Sequence, residues 1–160
     1  IKITMGFKDM FDKGINIETA PSIWITIPIL TLLGITFIRI SFGLEHHFSA
    51  PLAESSLFVL TSVVLSLQII FGVLGYMIMK KMDYFTKYIE STNKSGISFA
   101  LICPGVAFMV FGMFFINYGL VYNNIIDKYS IAYFIFMLPF IYIQMKTIIY
   151  FFKLYKKFGL

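Results

Sequence analysis

The sequence predicts an all-α, polytopic integral membrane protein with four transmembrane helices. Four apolar stretches fill most of the chain: Ser22 to Phe42, Ser56 to Met79, Ile97 to Val121 and Tyr129 to Phe152. A hydrocarbon core of about 30 Å takes roughly 20 mainly apolar helical residues to cross. Each stretch reaches that length with no more than one charged side chain. Hydrophobic residues make up 59% of the chain, above the roughly 45–50% of soluble domains, so a soluble domain of this length would lack a polar surface. The stretches are also continuous, unlike the short alternating strands of a barrel. Without water to satisfy backbone groups in the bilayer, helices are what remain.

The net charge of +5 reads as membrane orientation, because no basic stripe interleaves with aromatics in a soluble segment as nucleic-acid binding requires. Lys2, Lys8 and Lys13 precede the first span, Lys80, Lys81, Lys87 and Lys94 separate the second from the third, and Lys153, Lys156 and Lys157 follow the fourth. The stretch from Glu45 to Glu54 has no Lys or Arg, and that from Asn123 to Lys128 has one Lys beside Asp127. The positive-inside rule therefore predicts cytoplasmic termini and a cytoplasmic central loop. The expected division is a cytoplasmic amphipathic or loop segment over residues 1–20, a four-span domain over 21–155 and a cytoplasmic tail over 156–160. Ile3, Phe7, Met10 and Phe11 recur at helical spacing in the first of these. The chain starts at Ile1 within that pattern, which reads as the C-terminal part of a longer protein, with processing as the alternative. Cys103 is the sole cysteine, so an internal disulfide is excluded.

In the first span, Thr19 or Ala20 is the expected cap, and Pro21 suits a first-turn position where its missing N–H costs nothing. Trp24 is placed at the interface. Pro28, inside the span, removes a helical hydrogen bond and predicts a kink. The second span has a central Gln68, with Gly72 and Gly75 allowing close contact. The stretch from Lys80 to Asn93 reads as an interfacial helical turn. In the third span Cys103-Pro104-Gly105 predicts a break in regular helix, and Gly105, Gly112 and Gly119 put small residues near one face. The fourth carries Pro139, Gln144 and Lys146. Spans one and three thus each hold a proline near the same end, and discontinuous helices at repeated positions point to a transport pathway.

The run Ala20-Pro21-Ser22-Ile23-Trp24-Ile25-Thr26-Ile27-Pro28, followed by Gly34 and Arg39, resembles the seventh helix of the tellurite-resistance and C4-dicarboxylate transporter family, which includes the plant slow anion channels. The resemblance implies that the four spans correspond to helices seven to ten of a ten-helix fold of five hairpins. It also implies a central pore lined by proline-kinked odd-numbered helices, missing N-terminal helices, a homotrimer and no cofactor. A phenylalanine plugs the pore near the kink of the ninth helix in the channels. Cys103 falls at that place here, so Phe99 or Phe108, one turn either side, becomes the gate, or the plug is lacking.

Pro28, Phe99, Cys103, Pro104, Gly105 and Phe108 are accordingly the pore or gate candidates. The Cys103-Pro104-Gly105 trio reads either as an anion-binding or reactive break or as a packed kink around a buried thiol. Arg39 is either an anion attractor at the outer mouth or the partner of a headgroup or of Glu45. Lys146 reads as a snorkelling side chain. His46 and His47, expected in the outer loop, are too few for a closed zinc site. Gln68 and Asn117 read as interhelical hydrogen-bonding groups. With no phosphate-binding glycine loop, nucleophile elbow, carboxylate pair or HExxH, enzymatic chemistry is not expected, nor a metal or cofactor. The favoured function is transport of small anions across the bilayer. The alternative is a non-transporting membrane anchor or accessory subunit of a larger complex, a redox enzyme being one example.

Overall fold

The computed structural model describes residues 16–49, 54–89, 91 and 96–159. The amphipathic pattern from Ile3 to Phe11 lies outside them. The described residues are helical, without strands, and contain four helical spans long and apolar enough to cross a membrane: Ile17–Phe48, Ser56–Lys81, Gly96–Val121 and Ile131–Phe158. The protein is an all-α polytopic membrane protein. Its apolar residues face outward in quantity, Leu32, Met77 and Ile131 being each exposed by 65% or more. Water would penalise such a surface and hydrocarbon does not.

The first span opens as a 3-10 segment, Ile17–Ile25, and continues as α1, Thr26–Phe48. Its cap is Asn16, in place of the expected Thr19 or Ala20: the Asn16 side chain accepts from the Glu18 amide at 3.2 Å. An Asn carbonyl satisfies an orphan first-turn amide that alanine cannot reach. Pro21 consequently lies mid-segment and buried. At the far end α1 outruns the apolar stretch and takes in Glu45, His46 and His47. These histidines therefore sit in the last helical turn and not in a loop, where a helix C-terminus favours them. Ser49, at φ 49°, ends the helix by donating its amide to the Glu45 carbonyl at 3.1 Å.

Helix α2, Glu54–Lys81, returns to the first end and runs into a single wide π turn, Tyr84–Tyr88. The expected helical turn is there, but Tyr84 and Tyr88 are buried and stacked, centroids 5.0 Å apart. They pack with Ala20, Met79, Ile89 and Leu101. Burial pushes the Tyr84 phenol above its ordinary value, an effect the Ser98 hydroxyl partly offsets. The third span repeats the plan of the first: a 3-10 segment, Gly96–Leu101, then α3, Ile102–Phe114, ending in a π segment, Phe115–Val121. Ser130 caps α4, Ile131–Phe158, by accepting from the Tyr133 amide.

Helices α1 and α3 pack side by side and the two 3-10 segments pack on one another. Helix α2 lies against α1, and α4 against α3, while the backbones of α2 and α4 stay apart. The glycines of the third span fix its spacing. A methyl on Gly105 would overlap the Thr147 side chain, and one on Gly112 the Phe140 ring, so both glycines admit α4. Gly119, expected on the same face, instead meets Thr61 of α2. The i→i+5 turn of the intervening π segment adds residue length to each turn and rotates the face.

Candidate functional site

Pro28 is the third residue of α1 and Pro104 the third residue of α3. In both spans the backbone changes from 3-10 to α two residues before the proline. A proline ring clashes with the carbonyl four residues back and offers it no donor; a 3-10 turn bonds one residue closer, so the changeover accommodates the ring. The two prolines lie 76 residues apart, the same offset as Thr31 and Ala107. Those two meet: the Thr31 hydroxyl lies 3.1 Å from the Ala107 carbonyl. Corresponding points of the two spans are thus neighbours.

On one side of this pair lies a cavity of about 460 Å³. Trp24, Ile27, Leu101, Pro104 and Gly105, which flank the two changeovers, contribute to it, and α2 and α4 supply its walls. Trp24 is turned into the bundle, where its indole Nε1 donates to the Gly72 carbonyl at 3.0 Å. Gly75 leaves room for the ring. Gln68 also lines the cavity and is fully buried. Its Nε2 donates to the Thr31 hydroxyl at 2.8 Å and approaches the Ile27 carbonyl at 3.4 Å. Gln68 Oε1 is left with no partner among the described residues. Lys146, with its Nζ 5.6 Å from the Tyr142 ring centroid, is the cationic side chain on the wall.

The other side of the α1/α3 pair is open. Ile25, Ile29, Leu32, Thr36 and Arg39 recur at helical spacing and are all exposed. On α3 the matching stripe is Cys103, Val106 and Val110. A second cavity of about 470 Å³, lined by Met113, Phe114, Asn117, Tyr118, Val121, Tyr122 and Lys128, lies near the end of the third span. Phe42, one turn beyond Arg39, packs on Tyr118 and Tyr122, centroids 5.3 and 5.4 Å away, which puts Arg39 and Lys128 toward the same end of the bundle.

The sequence candidates are therefore divided between two faces. Cys103 is exposed on the open stripe and is not a buried packing thiol. Phe108 turns away from it, into the first cavity, 5.2 Å from Phe140. Phe99 also turns toward α4, 6.3 Å from Phe151 and 5.2 Å from Phe158. Pro104 is buried, Gly105 is filled by Thr147, and Pro28 is half-buried. Arg39 makes no pair with Glu45; the one salt bridge among the described residues joins Lys87 to Asp83 at 2.6 Å. Asn117 bonds within its own helix, to the Met113 carbonyl at 2.8 Å. His46 and His47 face each other edge to face, 5.0 Å apart, and no group of three metal-ligating side chains occurs among the described residues. The first cavity was not legible from the sequence, although the buried Gln68 and the single Trp24 on neighbouring spans are its signal. Comparison with protein-family models, with curated proteins and with solved structures finds no match.

Proposed function

We propose that this chain forms part of a pore or carrier for small anions, of the tellurite-resistance and C4-dicarboxylate transporter type, acting without a cofactor and without enzymatic chemistry. The supporting observation is Arg39. It ends an otherwise apolar or hydroxyl-bearing stripe on the uncovered face of α1 and has no hydrogen bond or ion pair among the described residues. A cation deep in a span costs roughly 2.5–3.5 kcal/mol on insertion scales. A passing anion or a covering helix with an acceptor offsets that cost. Lys128 adds positive potential toward the same end. The paired prolines of α1 and α3 lend support as repeated discontinuities in adjacent spans. On this reading the open face borders the pathway and Cys103 stands where a gate would be. Further helices of the same protein, in a trimer, complete the wall. The protein resides in a bacterial inner membrane with both ends cytoplasmic.

The test is anion flux in liposomes holding the native polypeptide that contains this segment. Arg39→Gln is expected to lower flux by about tenfold, the equivalent of 1.4 kcal/mol at the barrier. Pro28→Ala and Pro104→Ala are expected to alter flux more than expression. Wild-type flux in all three variants would overturn the reading. The intact mass of that polypeptide checks the missing helices: about twice the mass of these 160 residues is expected.

A further inference from the structure

We infer that the cavity between α2 and α4 is a binding site for an amphipathic organic anion that carries its own N–H or O–H. Neither Arg39 nor Cys103 lines this site, and the inference does not depend on the proposed anion pathway.

Three features define the occupant. The first is Gln68 Oε1, an acceptor buried in the cavity wall and unpartnered among the described residues. Burying such an atom without a donor is unfavourable. Nε2 is engaged by the Thr31 hydroxyl at 2.8 Å and approaches the Ile27 carbonyl at 3.4 Å, which leaves Oε1 as the free end of the amide. The atom calls for an N–H or O–H from outside the chain. The second is the wall itself: Trp24, Phe85, Phe108 and Tyr150 present rings, and the Trp24 N–H is already spent on Gly72. These surfaces take an apolar or aromatic body. The third is Lys146, whose ammonium has no carboxylate partner among the described residues. It selects a negative group at the other end of the ligand.

Size narrows the choice further. A volume near 460 Å³ falls in the range of about 300–1,000 Å³ that holds organic ligands, whereas a water-sized species takes about 30 Å³. A lone halide or simple oxyanion would leave most of the cavity empty. A phospholipid would supply a phosphate for Lys146, but its acyl chains have no donor for Gln68 Oε1. The combination of donor, apolar body and anion therefore favours a hydroxylated or N–H-bearing carboxylic acid over a bilayer lipid.

Trp24 is the only tryptophan and lines the cavity, so its fluorescence reports occupancy directly. The purified full chain, in detergent and in nanodiscs with and without phosphatidylglycerol, is titrated with para-hydroxyphenylacetate. Matched probes are para-methoxyphenylacetate, which lacks the donor, and para-hydroxyphenylacetamide, which lacks the charge. A saturable change with the first probe is expected, weakened about tenfold with either of the others. Gln68→Met is expected to erase the preference for hydroxyl over methoxy, and Lys146→Met the preference for acid over amide. Should Gln68→Met fail to fold, the three probes on the unaltered chain still decide. Equal affinity for all three, or no saturable change, would overturn the assignment. So would a Trp24 response that follows phosphatidylglycerol content alone, which would assign the groove to lipid.

Discussion

Gln68 of α2 donates through Nε2 to the Thr31 hydroxyl of α1 at 2.8 Å, and that hydroxyl lies 3.0 Å from the Ile27 carbonyl and 3.1 Å from the Ala107 carbonyl of α3. One threonine thus links three spans. The hydroxyl has a single proton, so the two carbonyls share it, while its lone pair serves Gln68. This junction sits at the level where the two proline-bearing spans meet. It holds the floor of the α2/α4 cavity in register.

Removing the link should be felt in stability. Thr31→Val leaves Gln68 Nε2 with only the 3.4 Å approach to Ile27. Hydrogen bonds between membrane helices average about 0.6 kcal/mol and reach about 1.7, and the upper part of that range is expected here. Gln68→Leu alone should cost a similar amount. The double variant should cost less than the sum, because neither side then strands a partner. Unfolding in mixed micelles measures all three; strict additivity would show that the two residues do not interact.

The close approach of α3 and α4 predicts an asymmetry between glycines. Gly112→Ala drives a methyl into the Phe140 ring and is expected to destabilise by about 1–3 kcal/mol, as overpacking does. Gly43→Ala meets nothing within 4 Å and should stabilise α1 by up to about 1 kcal/mol through helix propensity. Thermal unfolding of the two variants in one detergent compares them, and equal effects would contradict the α3/α4 spacing.

Alkaline stability should depend on Tyr84. Its phenol is raised by burial from the ordinary 10.0. Below that ordinary value both folded and unfolded forms are neutral, and the contribution is fully present. As pH rises above it the unfolded chain ionises first, so the contribution is lost as pH climbs through the folded value. Tyr84→Phe should therefore flatten the loss of stability as pH rises above the ordinary 10.0. Unfolding followed across that window reads the slope, and an unchanged slope would exclude Tyr84 as its source.

Several details of the site were legible because they are local. Pro28 and Pro104 mark the two spans that open in 3-10 geometry, but the break expected at Cys103-Pro104-Gly105 does not fall there: all three lie within continuous α3, and the changeover precedes them. Gly105 and Gly112 announce a close neighbour. Other details were not. Seven-residue spacing placed Gly119 with its partners, but a π segment intervenes and turns it toward Thr61. Phe99 and Phe108 flank Cys103 equally in sequence, yet both turn toward α4 while the thiol remains exposed. A helical wheel orders the faces of one helix and is silent on which neighbour each face meets.

Read alone, the sequence defines the bilayer-spanning class, the four spans and the prolines beside which the first and third spans pass from 3-10 to α. Each of these follows from apolar run length or from the backbone chemistry of single residues. The tertiary structure decided that α2 and α4 stand apart, that a cavity fills the gap, and that Gln68 Oε1 and Lys146 line it together. It also leaves Arg39 and Cys103 both exposed, Arg39 without an ion pair among the described residues. The reason is that apolar faces are nearly equivalent in hydrocarbon. The faces that meet are selected by shape, small residues and a few hydrogen bonds between residues distant in sequence.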